Sequence, residues 1–257
     1  EEIELFRNGS DPLNYPNTNW QRETLQNFAL QNKHNLSVRG GSENVNYFVS
    51  LGQLSQDGLY KNGVANFNQY SFRSNIDANI NERLTVGLGL SGRKEARMFP
   101  TEGAGHIFRS IYRAYPTVNA FYPNGLPSTG IENANPAILA TDMGGTNDNP
   151  RYVFNGILRA KYELPFLEGL SVDGFYSVDE SSDRYRTFRV PYTLHNYNRN
   201  ADTYNPIVIG GGPNQRPSLD EGHENISMIV SHIKLNFNRS FGNHFIDAFV
   251  GYEQSEN

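Results

Sequence analysis

The chain has 257 residues, a formal net charge of -5 and no cysteine. That excludes disulfides and thiolate metal sites, and it leaves no basic footprint for nucleic acid. Mean hydropathy is -0.61, and no run approaches the ~20 apolar residues of a membrane-spanning helix. Fifteen Tyr and 16 Phe accompany a single Trp, a load that favours strands and the aromatic girdles of membrane barrels. The low hydropathy does not count against such a barrel, because only alternate residues of its strands face lipid.

The first residues, Glu1-Glu2-Ile3-Glu4, carry no signal-peptide pattern. The reading is therefore of an internal piece of a longer chain, with residues 1–32 as an irregular polar lead-in and barrel connection. Residues 33–257 are read as barrel.

From there the dominant signal is period-two alternation, which places successive side chains on opposite faces of a strand. Val45, Tyr47, Val49 and Leu51 oppose Asn46, Phe48, Ser50 and Gly52. Tyr70, Phe72, Ser74, Ile76, Ala78 and Ile80 oppose Gln69, Ser71, Arg73, Asn75, Asp77 and Asn79. Leu84, Val86, Leu88 and Leu90 oppose Thr85, Gly87, Gly89, Ser91, Arg93 and Glu95. Leu158, Ala160 and Tyr162 oppose Arg159, Lys161 and Glu163. Strands are expected at 34–40, 45–59, 67–80, 83–96, 151–163, 170–189, 225–239 and 244–253, with ends good to about two to four residues. Several reach the ~10 residues that a tilted strand needs to cross a bilayer.

The connections alternate as well. Short turns at 40–43, 81–83, 164–169 and 240–243 take turns with longer segments at 55–66, 97–151 and 190–224. Tight periplasmic turns and long extracellular loops are the habit of outer-membrane barrels. The fold class is all-β: an antiparallel transmembrane β-barrel segment of about eight strands from a larger barrel. Tyr70, Phe72, Ile76, Val86, Leu88 and Leu158 are expected to face lipid. Arg73, Asp77, Arg93 and Lys161 are expected to face the lumen.

Specific stretches carry a family resemblance. Tyr15-Pro16-Asn17-Thr18-Asn19-Trp20 is followed by Asn35-Leu36-Ser37-Val38-Arg39-Gly40-Gly41 and Asn46-Tyr47-Phe48-Val49-Ser50-Leu51-Gly52. Tyr70-Ser71-Phe72-Arg73-Ser74-Asn75 leads into Leu84-Thr85-Val86-Gly87, and Tyr122-Pro123-Asn124-Gly125 and Val250-Gly251-Tyr252-Glu253 come later. This series resembles the SusC/RagA family of TonB-dependent outer-membrane transporters, typical of Bacteroidetes, with Asn19 where the family usually carries Asp.

The resemblance implies a parent barrel of about 22 strands with a plugged lumen. It also implies import of glycan oligomers or peptides, energy from TonB through regions absent from this chain, and a SusD-like surface lipoprotein as partner. A soluble or surface carbohydrate-binding or adhesive β-domain and a passive porin-like barrel are the competing readings.

The long loops are the place to look for contacts. Ile107, Phe108, Ile111, Tyr112 and Tyr115 fall at helical spacing, which in most proteins is packing. Tyr112, Tyr115, Phe121, Tyr122 and Tyr192 are the candidate substrate or partner contacts, against loop self-packing as the plain alternative. His34, His106, His195, His223, His232 and His244 are scattered without an i, i+4 pair, so no metal site is expected. No nucleophile, base and orienting group assemble from the sequence. Neither a catalytic role nor a cofactor is therefore expected. Leu88→Arg should destabilise the inserted barrel by about 2–4 kcal/mol, the cost of an Arg near mid-bilayer on a lipid face. Equilibrium refolding into vesicles checks this, and a neutral substitution would remove Leu88 from that face.

Overall fold

The computed structural model describes residues 2–61 and 63–257. Four short helices, α1 (Glu2–Asn8), α2 (Trp20–Thr24), α3 (Ala104–Arg113) and α4 (Pro136–Leu139), accompany eleven strands. The strands are β1 (Gln31–Gly41), β2 (Val45–Asp57), β3 (Asn66–Asn79), β4 (Leu84–Pro100), β5 (Gly145–Asp148) and β6 (Arg151–Glu163). They continue as β7 (Leu170–Arg189), β8 (Pro191–Asn198), β9 (Thr203–Gly210), β10 (Ser218–Phe241) and β11 (His244–Glu256).

Nine strands form one antiparallel sheet in the order β1-β2-β3-β4-β7-β10-β11, with β5 and β6 both between β4 and β7. Those two share a single lane, interrupted at Asn149 and Pro150. Proline has no N–H to give a ladder. The lane nevertheless stays tied to both neighbours: Asn149 N donates to Arg97 O at 2.8 Å and Arg184 N to Pro150 O at 3.0 Å. The expected eight strands are therefore eight lanes of a meander. Strands β6 (151–163) and β7 (170–189) begin and end where the alternation places them.

Register aligns the two faces across every lane. Leu36 lies opposite Leu51, Leu51 opposite Phe72 and Tyr47 opposite Ile76. Ile76 then pairs Leu88, Leu88 pairs Leu158 and Leu158 pairs Tyr176. Further along, Tyr162 pairs Val172, Val172 pairs Leu235 and Leu235 pairs Val250. These side chains are on one face because paired residues share a face and i, i+2 neighbours repeat it.

The other face is polar. Ser50 pairs Arg73, Arg73 pairs Ser91, Ser91 pairs Asn155 and Asn155 pairs Asp179. Asp77 pairs Gly87, Arg93 pairs Val153, and Lys161 pairs Asp173. Arg73, Asp77, Arg93 and Lys161 thus share one face, opposite Tyr70, Phe72, Ile76, Val86, Leu88 and Leu158. The apolar face is bare in the isolated chain, and Leu158 is 50% exposed on it.

The main packed core lies beyond one end of the sheet. Trp20, Tyr60, Ala65, Ile107, Ile111, Ala120, Leu139 and Ala140 cluster there, contributed by the lead-in and the long connections. Two expectations are corrected by this. Residues 1–32, expected to be irregular, hold α1 and α2 and dock onto the loops: Trp20 Nε1 donates to Tyr115 O at 2.8 Å. The segment 190–224, expected to be a loop, holds the β8–β9 hairpin, and its last residues already belong to β10. Proline at 191 and 206 and the two-sided polarity of Ser218–Glu224 hide these strands from a pattern that reads alternation.

Trp20→Ala should cost about 3–5 kcal/mol locally, for a large buried ring and a lost hydrogen bond. Hydrogen exchange in the full-length protein should show α3 and α4 losing protection while β2, β3 and β4 keep theirs. Unchanged protection of α3 would remove Trp20 from the centre of this core.

Candidate functional site

The long connections fold into a cap at one end of the sheet. In α3, Ile107, Ser110 and Ile111 are buried, and Ser110 Oγ donates to His106 O at 2.9 Å. The helical spacing therefore divides. Ile107 and Ile111 enter the core, while Tyr112 (79% exposed) and Tyr115 (63%) stand outside it.

The short helix α4 is set by Asn135, which is fully buried. Its Oδ1 accepts from Ala137 N at 3.0 Å, an N-cap immediately before Pro136 at the first helical position. Its Nδ2 donates to Ala120 O and Ser128 O at 2.8 and 3.0 Å, tying the two halves of the 97–151 segment together.

The β8–β9 hairpin interlocks with that segment. His195 N donates to Pro127 O at 2.9 Å, and Thr129 N to His195 O at 3.1 Å. Leu194 is fully buried. Tyr122 is only 9% exposed. Its hydroxyl donates to His195 O at 3.2 Å and accepts from Tyr197 N at 3.1 Å. Its ring lies 5.1 Å from Tyr204 and 6.2 Å from Tyr197. Burial raises the Tyr122 phenol pKa, and the hydrogen bond from Tyr197 to Asp202 raises that of Tyr197.

At the hairpin tip, Arg199 Nε donates to Asn14 Oδ1 at 2.8 Å, and the guanidinium lies 5.5 Å from the Tyr15 ring. Lead-in, long loop and hairpin are therefore one body.

Between α3 and the hairpin is a pocket of about 300 Å³ lined by Glu102, His106, Arg109, Arg113, Glu132 and Tyr192, among others. His106 Nδ1 is 2.8 Å from Glu102 Oε2, and Arg113 reaches both Glu132 oxygens at 3.0 Å. Arg109 forms no ion pair among the described residues. Tyr192 lies against Gly210, whose φ is +74° and where a Cβ would come within 2.6 Å of the ring. Burial and the nearby Glu102 push its phenol up to about 12. The pocket offers hydrogen bonds of both signs, and among the described residues no group of three potential metal ligands forms.

The five candidate aromatics therefore separate. Tyr122 is a clasp between loops, Tyr192 lines the pocket, and Tyr112 and Tyr115 are open surface. Phe121 is partly open, in a bridge with Pro127.

On the polar sheet face, Glu95 is 4% exposed. Arg93 Nε reaches it at 2.6 Å, Arg97 holds its other oxygen, and Arg151 pairs Asp183 at 3.5 Å one lane over. Arg93 and Glu95 share a face in the sequence alternation, whereas Arg97, expected to open the long loop, continues β4. Trp20, Tyr60, Asn135 and Arg199 were missed as organisers of the cap, because their partners are distant in sequence.

No family model matches the chain. The TonB-dependent receptor P3 of Formosa agariphila is 26% identical over 246 residues, which is 92% of this chain and 22% of the relative. The TonB-dependent receptor P26 of the same organism is 36% identical over 78 residues, 30% of this chain and 8% of the relative. Among solved structures, the RagAB peptide importer in the closed-closed state matches with a TM-score of 0.58 and 17% identity, over 98% of this chain and 36% of that one. A second structure, of the RagAB peptide transporter, gives 0.58 and 18% over the same shares. The chain thus spans about a fifth of the first curated relative and about a third of these solved chains. Both curated relatives are named as TonB-dependent receptors. The chain thus shares the fold of the RagAB importer's barrel chain as an antiparallel β-barrel segment, and along most of its length it is similar to a TonB-dependent receptor of Formosa agariphila.

Proposed function

We propose that this segment forms one sector of an active importer of nutrient oligomers, glycans or peptides, working with a SusD-like surface lipoprotein. The observation that carries the reading is the sheet's division into an apolar and a polar face, with a packed cap at one end only. In a closed barrel the apolar face meets lipid, and Arg73, Asp77, Arg93 and Lys161 line the lumen. The edges β1 and β11 then continue into further strands, since an open edge in lipid would leave backbone groups unpaired. TonB acts through the parts of the relatives that this chain does not span.

A soluble adhesive domain is disfavoured by the bare apolar face, because monomeric soluble proteins rarely expose apolar patches beyond a few hundred Å². Of the substrate classes, peptides gain some support from the likeness to the RagAB peptide importer and from the mixed-charge pocket at Arg109, Arg113 and Tyr192, which suits a zwitterionic ligand. Tyr112 and Tyr115 are the aromatic surface offered to lipoprotein or cargo, with Phe121 a partly open further candidate, while Tyr122 supports from within.

Truncating an aromatic hot spot costs about 2 kcal/mol or more, which is roughly 30-fold in affinity. A Tyr112→Ala, Tyr115→Ala double variant of the full-length protein should weaken lipoprotein association or uptake by about that factor, with normal membrane insertion. Co-purification and uptake assays check it. Normal values in both would reduce these tyrosines to loop surface.

A further inference from the structure

In the pocket between α3 and the β8–β9 hairpin the charges of the cap fail to cancel. His106, Arg109 and Arg113 follow one stripe of α3, at i, i+3 and i+7. Two of them are answered by acids: Glu102 meets His106 at 2.8 Å, and Glu132 meets Arg113 with both carboxylate oxygens at 3.0 Å. The second pairing depends on an unusual turn. Glu132 and Asn133 have φ of 55° and 62°, in a left-handed region that residues with side chains rarely adopt. Ala134 N closes the turn by donating to Ile131 O at 2.9 Å. The turn brings Glu132 to Arg113 and leaves Arg109, one helical turn earlier, without an acid.

An adjoining cleft shares Glu102, Leu139, Tyr192 and Gly210 with the pocket and adds Arg189. Among the described residues Arg189 has no ion pair either. Across pocket and cleft, Arg109, Arg113 and Arg189 stand against Glu102 and Glu132, so positive charge is in excess with His106 neutral. Arg189 also shows which way the site opens. It continues the row of Asp179, Asp183 and Thr187 along β7, and Asp179 pairs Asn155 on the polar face. The cleft is therefore on the lumen side of the wall, where cargo passes.

The pocket's volume of about 300 Å³ has room for the end of a chain and not for its length. Ile131, Leu139 and Ile209 make one part of its wall apolar. Tyr192 adds a donor, because a phenol held at about 12 keeps its proton at neutral pH.

We propose that this pocket holds the C-terminal residue of a peptide cargo, its α-carboxylate between the Arg109 guanidinium and the Tyr192 hydroxyl and its side chain against Ile131, Leu139 and Ile209. The proposal rests on the peptide reading above and deepens it by naming the end that is recognised. A guanidinium meets both oxygens of a carboxylate as a planar fork. A peptide's N-terminal ammonium would instead meet the surplus positive charge. An uncharged sugar would leave Arg109 unpaired, and a uronate would set its hydroxyls against the apolar wall.

The test is fluorescence anisotropy on the full-length protein with a dansyl-labelled alanine peptide ending in leucine, prepared as the free acid and as the C-terminal amide. The acid should bind about tenfold tighter than the amide, the size expected for one charge-assisted contact. Arg109→Gln should bring the acid down to the affinity of the amide, and Arg109→Lys should restore part of the difference. Tyr192→Phe should weaken the acid and leave the amide unchanged. Heat-modifiable gel mobility confirms that the variants fold. Equal binding of acid and amide, a preference unchanged in Arg109→Gln, or displacement of the peptide by oligogalacturonate more readily than by unlabelled acid would overturn the site. Peptide binding without discrimination leaves the import reading standing. Failure of the protein to bind or take up either peptide would remove peptides as cargo, and this site with them.

Discussion

Inside a bilayer no water is present to take up a free backbone N–H or C=O, and each unpaired group costs several kcal/mol. A chain that crosses with strands must therefore pair every residue of every lane with both neighbours, over the whole thickness of the hydrocarbon. This one constraint accounts for the long strands, for ladders such as β7 with β10 that run from Leu170 to Arg189 without a slip, and for the continued pairing at Pro150. It also fixes the side chains, because a one-residue shift in any lane would turn its apolar row toward the polar face.

That coupling explains why so much of the sheet was legible in the sequence. Where a strand has one face for lipid and one for water, the period of two is written directly into residues such as Ile76, Asp77, Leu88 and Gly89. The lane boundaries then follow from where the alternation stops. Above the membrane the same physics is silent. Ser218–Glu224 at the start of β10 has solvent on both sides, so its pairing to Asp183–Arg189 rests on backbone bonds and the Arg186–Glu221 ion pair at 2.9 Å and leaves no alternation to read. The β8–β9 hairpin carries Pro191 and Pro206, which count against a strand in sequence although both sit in this one.

The cap follows a different rule. It is an ordinary small hydrophobic core, assembled from pieces far apart in the chain: Trp20 with Tyr115, Asn119 with Leu13 at 3.0 Å, Arg199 with Asn14. The helical spacing of Ile107 and Ile111 was readable, and so was the concentration of tyrosine. Which tyrosines support the cap and which remain open was not. Tyr122 and Tyr112 look alike in sequence, yet one is a clasp against His195 and the other faces solvent, because only the tertiary arrangement decides which ring meets the hairpin. The charged lining of the pocket has the same origin, since Glu102 and Arg113 at the two ends of α3 meet Tyr192 from the β8–β9 hairpin.

The account stands on the assignment of the two sheet faces. The chain has no native cysteine, so single cysteines can be placed in the full-length protein at Ile76, Leu88 and Leu158 and at Arg73, Asp77 and Lys161. Each is labelled with a fluorophore in vesicles and exposed in turn to lipids brominated on their acyl chains and to a water-soluble quencher. The account predicts quenching by brominated lipid at the first three positions and by the aqueous reagent at the last three. Aqueous quenching at Leu88 and Leu158, together with lipid quenching at Arg73 and Asp77, would contradict it.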